Sequence, residues 1–205
     1  TWFQEQGYLP EAVINFLGLL AYPPAKGEDG QDVEKFTFAE FSRDFAWSKV
    51  NTVGPIFDLK KLDWLNGQYI RNLGPEALTS RVFEYVDRMG QAQEVLGRDL
   101  TERDRSIVRA AMPLVRERLT LLSEALPKLA FLLVNDDSLV FDADSVAKLK
   151  DGADEIQHAA VEVLKGLDDF SADAIQAALR AKLCDDMGVK PRLAFAPVRV
   201  AVTGS

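Results

Sequence analysis

The chain has 205 residues, 47% of them hydrophobic and 27% charged, with a formal net charge of −8. That composition is ordinary for a globular protein able to bury one sizeable core or two small ones, and no apolar run reaches the roughly 20 residues that span a bilayer. One cysteine, Cys184, excludes an internal disulfide, and one histidine, His158, leaves no zinc ligand set and argues against a Ser/His or Cys/His relay.

Helical periodicity dominates, and no run alternates apolar and polar residues as a half-buried strand would, so the expected fold class is all-α. The opening Thr1-Trp2-Phe3-Gln4-Glu5 has no basic-then-apolar secretion pattern. Pro10 sits at the first position of a helix over about 11–20, Tyr22-Pro23-Pro24 breaks it, and Lys26-Gly27-Glu28-Asp29-Gly30 reads as a solvated turn. Thr37-x-x-Glu40 is a capping box opening a short helix through Phe45. A loop from Val50 to Phe57, containing Gly54-Pro55, leads into a helix capped by Asp58, with Leu59, Leu62, Leu65 and Tyr69 as its buried stripe. On the opposite face fall Lys60, Lys61, Trp64, Gln68 and Arg71. A tryptophan stranded among cations has two readings: another part of the fold covers it, or its flat ring serves a nucleic-acid backbone and sugar edge.

Gly74-Pro75 starts a helix through about Met89. Thr101-x-x-Asp104 resembles a capping box and begins a long helical stretch, expected to break at Pro113 and again at Pro127. After an acidic loop around Asn135, helices are expected at about 145–150, 153–165 and 172–187, the last capped by Ser171 and stopped by Gly188 with Pro191 beyond. Cys184 lies within that pattern and reads as a structural thiol. Periodicity leaves 193–202 open, since Val198, Val200 and Val202 favour a strand.

The negative charge argues at first against a nucleic-acid partner. Its distribution weakens the objection. From Asn135 to Asp173 there are eleven acidic residues and three lysines, which account for the whole net charge of −8. Elsewhere the chain is locally basic, with six basic and four acidic residues from Thr101 to Val134, and five and two from Ala174 to Ser205. Such a chain can hold a phosphate backbone with modest, salt-sensitive affinity.

Four collinear stretches carry a resemblance. Phe57-Asp58-Leu59-x-Lys61-Leu62-x-Trp64-Leu65-Asn66-Gly67-x-Tyr69-Ile70-Arg71 closely resembles the signature of bacterial-type glutamyl-tRNA synthetases just past their catalytic half. Gly7-Tyr8-Leu9-Pro10-Glu11-Ala12-Val13-Ile14-Asn15-Phe16-Leu17 is similar to the helix after that family's second nucleotide-binding motif. Arg116-Glu117-Arg118-Leu119, with Leu121 and Leu122, is similar to the start of an anticodon-domain helix, and Pro197-Val198-Arg199-Val200-Ala201-Val202-Thr203-Gly204 to a segment near the family's C-terminus. The resemblance covers the whole chain, and it favours helix over strand for 193–202.

The resemblance implies a helical stem-contact region over 1–72 and an α-helical anticodon-binding domain over 73–205, of the class I helical-cage kind, incomplete at its C-terminus. Members of the family attach glutamate to tRNA using ATP and Mg²⁺. Their two nucleotide motifs, His-Ile-Gly-His-like and Lys-Met-Ser-Lys-like, are both missing, and the one lysine pair, Lys60-Lys61, has no serine beside it. The expectation is therefore a tRNA-binding fragment of a ligase, with no catalytic residue and no cofactor of its own. The partner implied is glutamate tRNA, with no DNA and no membrane, and the protein is expected to be a cytoplasmic monomer.

Residue by residue, Arg118 matches a family arginine that faces the first anticodon base and helps tell glutamate tRNA from glutamine tRNA. The bland reading makes it a solvated flank beside Val115, Leu119, Leu122 and Leu126. Arg199 matches an arginine reaching the anticodon from the other side, and Lys61 and Trp64 match positions at the inner bend of the tRNA. Arg116 has no such match and reads as an ion-paired surface arginine. Ala21-Tyr22 replaces the more usual Gly-Trp, a tolerable swap. A helical scaffold binding a charged protein through Trp64 explains the acidic segment but not the four motifs. A queuosine-modifying paralogue would lack this region altogether. Whether a parent enzyme would also charge glutamine tRNA stays open on one arginine.

Overall fold

The computed structural model describes residues 1–54 and 56–205; Pro55, in the expected Gly54-Pro55 loop, lies outside the described residues. In chain order come α1 (Trp2–Gln6), α2 (Pro10–Ala21), a two-stranded antiparallel hairpin of β1 (Ala25–Lys26) and β2 (Asp32–Val33), α3 (Phe38–Asp44), α4 (Leu59–Asn72), α5 (Pro75–Met89), α6 (Gln91–Leu96) and α7 (Glu102–Val115). There follow α8 (Ala125–Leu129), α9 (Ala143–Ala147), α10 (Ala153–Lys165), α11 (Ala172–Arg180) and α12 (Pro191–Thr203). The all-α expectation holds apart from the hairpin, whose strands pair Ala25 with Val33 and Lys26 with Asp32 around the expected solvated turn.

Helix starts follow the local capping chemistry. Thr37 and Glu40, and Thr101 and Asp104, each form a reciprocal capping box. Asp58 and Ser171 accept from the backbone N–H of Lys61 and Ala174. Pro10, Pro75 and Pro191 stand in the first turns of α2, α5 and α12, where the missing N–H costs nothing. The expected break at Pro113 does not occur there: α7 runs two residues past it, to Val115, and gives way to a 3₁₀ turn at Arg116–Arg118. Pro127 is no breaker either, because it falls in the first turn of α8. Residues 172–187 are not one α-helix: from Ala181 to Asp186 the coil widens to a π-helix, with Met187 N–H donating to the Lys182 carbonyl at 3.1 Å. Over 191–203 the β-branched residues do form a helix, α12.

The described residues fall into two compact units, Thr1–Leu133 and Val134–Ser205. In the first, α5, α7 and α8 enclose Leu78, Val82, Val86, Val108, Met112, Leu126 and Leu129, while Tyr8, Phe16, Leu62 and Leu65 join α2 to α4. Each fully buried leucine contributes about 1.5–3 kcal/mol. Close approach at Gly7 locks the N-terminal turn: its φ is +90°, a Cβ there would stand 2.6 Å from Ser123 N, and its carbonyl accepts from Leu122 N–H at 3.0 Å. The second unit has a thinner core of Ile156, Ala160, Leu179, Leu183 and Ala194 between α10, α11, the π-helix and α12. Cys184 packs against it as the structural thiol expected. Compactness divides the described residues at 133/134, so the boundary expected at 72/73, between α4 and α5, falls inside the first unit.

Candidate nucleic-acid interface

Helix α4 begins at Asp58 and turns Leu62, Leu65, Asn66 and Ile70 inward, all at 0% exposure. The expected stripe is corrected at both ends. Leu59 is 44% exposed, and Ile70, not Tyr69, is the residue that is fully buried. The expected opposite face is there. Trp64 is 48% exposed, so about half of it stays open to solvent. Lys61 stands one turn before it. It is not free, because its Nζ lies 2.7 Å from Glu34 Oε1 in a half-exposed ion pair. Arg71 folds its guanidinium back over Gly67, where a Cβ would stand 3.0 Å from Nη1. The same neighbourhood holds Lys35, whose Nζ sits 4.9 Å from the Tyr69 ring centroid and whose burial pushes its pKa below the ordinary value.

Arg118 lies at the end of the 3₁₀ turn, not at the start of a longer helix as expected. Leu119 is fully buried and extended, and Leu122 opens a further 3₁₀ turn before α8. The apolar positions beside Arg118 are therefore core, but they belong to a broken backbone. Arg118 is exposed, and among the described residues it has no ion pair or hydrogen-bonded partner. Arg116 is the contrast anticipated: its Nη2 is 3.0 Å from Glu117 Oε1.

One side chain, Asn66, fixes this turn relative to α4. Its Oδ1 accepts from Leu9 N–H at 2.9 Å, and its Nδ2 donates to the Thr120 carbonyl. Both amide functions are used inside a site of 0% exposure, so Asn66 ties α4, the start of α2 and the segment after Arg118 together. A second such node is Asn15, 1% exposed, whose Nδ2 donates to the Glu34 carbonyl at 2.9 Å and whose Oδ1 accepts from Phe36 N–H at 3.0 Å. The Tyr69 hydroxyl lies 2.8 Å from both Asn15 Oδ1 and the Phe36 carbonyl, and burial raises its pKa.

Arg199 is an exposed residue of α12, in the second unit, with Nε donating to the Ser205 carbonyl at 3.0 Å. Three of the four expected residues thus share the first unit, two on one helix turn and the third on a turn clamped to that helix, while Arg199 belongs to the other. Sequence reading missed Asn15, Glu34, Lys35 and Asn66. The asparagines did leave a signal, since each occupies an inward position of an apolar stripe, where a polar group must have partners. The lysine–glutamate pairing left none, being a contact across 27 residues.

His158 Nδ1 is bonded within its own helix to the Asp154 carbonyl, and among the described residues no three His, Cys, Asp or Glu side chains are placed to hold a metal ion. No described helix is long and apolar enough to cross a membrane.

The chain is 73% identical over 204 residues to the glutamate–tRNA ligase of Cutibacterium acnes, covering 100% of this chain and 40% of that protein. It is 46% identical to the ligase of the same name from Acidothermus cellulolyticus, covering 99% of this chain and 39% of the relative. It therefore spans about two fifths of the length of these relatives. A crystal structure of a glutamate tRNA ligase from Elizabethkingia meningosepticum superposes with a TM-score of 0.69, covering 99% of this chain and 37% of that one; at 23% identity the likeness is one of fold. Residues 77–205 match the model of the anticodon binding domain. Since that segment takes in more than half of the chain, the protein belongs to the anticodon binding domain family.

Proposed function

We propose that this chain is the tRNA-binding part of a glutamate–tRNA ligase, with residues 1–72 touching the inner bend of glutamate tRNA and 73–205 its anticodon. The longer protein would join glutamate to that tRNA with ATP and Mg²⁺, as a cytoplasmic monomer. The present residues do not fit an ATP site: Lys60-Lys61 lies inside α4 with no serine beside it, and Lys61 is already engaged by Glu34. No step of glutamate activation is assigned to them.

The work left to these residues is recognition. Single-stranded anticodon bases are read by stacking and by hydrogen bonds to their edges. Arg118 and Arg199 supply planar forked donors for that purpose, Trp64 a stacking ring and Lys61 a phosphate contact. The observation that carries the reading is the match of 77–205 to the anticodon binding domain family; the half-exposed Trp64 on the cationic face of α4 supports the inner-bend contact.

A labelled glutamate tRNA transcript should shift with the purified chain at low salt. Trp64→Ala should weaken that binding by roughly 1–3 kcal/mol and leave the melting temperature unchanged. Loss of melting temperature with tRNA affinity intact would make the ring a packing residue.

A further inference from the structure

We propose that Glu34 is a positioning and restraining residue for the RNA-contacting Lys61, holding the ammonium in place while masking its charge until a phosphate displaces the carboxylate. The inference rests on the tRNA-binding reading above and adds a determinant of affinity that acts through Lys61.

The placement of Glu34 is built, not incidental. Its own carbonyl is held by Asn15 Nδ2, and the N–H two residues on, at Phe36, is held by Asn15 Oδ1. Asn15 is 1% exposed, and the Tyr69 hydroxyl of α4 closes on the same oxygen. The backbone from the Glu34 carbonyl to Phe36 is therefore fixed to α2 and α4, and the Glu34 carboxylate lies 2.7 Å from Lys61 Nζ. The two side chains are 35% and 38% exposed, so incoming phosphate can reach the pair.

An ammonium held at that distance by a carboxylate presents a dipole in place of a net charge, so its attraction for an approaching phosphate is largely cancelled. To take a phosphate it must give up an ion pair of surface strength, equivalent to about two- to fivefold in an equilibrium constant. Nearby phosphates also meet the negative charge of Glu34 itself. The pair thus sets tRNA affinity below what Lys61 alone would give, and holds the lysine in register meanwhile.

Glu34→Gln separates the two roles, because the amide oxygen still accepts from Nζ while the charge is gone. Binding of a glutamate tRNA transcript by the full chain should tighten about two- to fivefold at low salt, and the gain should shrink as salt rises. In a Lys61→Ala background the gain should largely vanish. Glu28→Gln, the same charge change on the exposed hairpin turn, should give a smaller gain than Glu34→Gln. Unchanged or weakened binding by Glu34→Gln, or a gain of full size in Lys61→Ala, would overturn the inference while leaving Lys61 a contact. Lys61→Ala without any effect on tRNA would overturn the contact reading itself, and the inference with it.

Discussion

The two compact units hold their shape by different means. The first, Thr1–Leu133, is tied by buried polar nodes as well as by its apolar core: Asn15, Asn66 and Asp104 are between 0% and 4% exposed, and each bonds to backbone from other segments or to a charged partner. The second, Val134–Ser205, has only apolar residues in its buried core and uses hydrogen bonds nearer its surface, such as Asp142 N–H to the Gly204 carbonyl at 2.7 Å. A polar node fixes geometry because each bond has a direction, whereas apolar packing tolerates small shifts. The first unit accordingly carries the candidates whose relative positions matter most, Lys61, Trp64 and Arg118. The second carries one, Arg199, together with the whole of the acidic segment.

All three tryptophans, Trp2, Trp47 and Trp64, lie in the first unit, so indole fluorescence reports that unit and circular dichroism reports both. The largest effect is expected in the thinner core. Leu183→Ala, at a position of 0% exposure in the π-helix, should destabilise the second unit by about 3–5 kcal/mol. Helical dichroism should fall while the fluorescence transition stays where it was. A matching loss in fluorescence would mean that the two units fold as one.

Asn66→Ala attacks the other device. It strands the Leu9 N–H and the Thr120 carbonyl in a dry site, at a cost of about 1–3 kcal/mol for each group left unpaired, less whatever the site relaxes. The fluorescence midpoint in denaturant should drop and the dichroism of the second unit should persist. An Asn66→Ala midpoint within error of the parent would show the node to be dispensable.

A smaller, pH-dependent effect sharpens the comparison. The Arg98 guanidinium, with help from the Thr101 hydroxyl and N–H, holds the Asp104 carboxyl well below its ordinary value of 3.8. Because the folded pKa is the lower one, its stabilising contribution is complete above the ordinary value and is lost as pH falls below it towards the folded pKa. The first unit should therefore lose stability progressively as the solution is acidified below about pH 4. Asp104→Asn should be destabilised by about 1–3 kcal/mol at neutral pH and should show a flatter acid limb. An acid limb of unchanged slope in Asp104→Asn would assign the effect to other carboxylates.

What was legible in the sequence is what is encoded within a few residues. Both capping boxes and the Asp58 and Ser171 caps announce themselves because donor and acceptor stand three positions apart, and the Gly74-Pro75 start because proline suits the first helical position. The hairpin was illegible because two residues per strand cannot show alternation. The π-helix at Ala181–Asp186 was illegible because an apolar period changes little over one wide turn. Periodicity likewise placed Leu59 inward and Arg118 on a helix, since a wheel assumes an unbroken backbone and says nothing of where the neighbour stops. The sharp drop in charge after Asn135 lies next to the packing boundary at 133/134, because a composition shift can mark a unit boundary as well as an acidic surface. Among the site residues, Trp64 was legible because an aromatic ring on a polar face breaks the pattern. The Glu34–Lys61 pair was not, because nothing local couples the two.

The central claim is that an arginine on the first unit reads a base and does more than add charge. A forked donor is satisfied by one base edge and left unpaired by another, a difference of about 1–3 kcal/mol by analogy with base readout in DNA. The direct measurement is the affinity of the chain for two glutamate tRNA transcripts that carry cytosine or uracil at the first anticodon position. Arg118→Gln should reduce the preference for cytosine, Arg118→Lys should not fully restore it because the planar fork is lost, and Arg116→Gln, whose guanidinium is held by Glu117, should change it least. Equal loss of affinity for both transcripts in Arg118→Gln would contradict the account, leaving Arg118 a backbone contact and the anticodon to be read elsewhere.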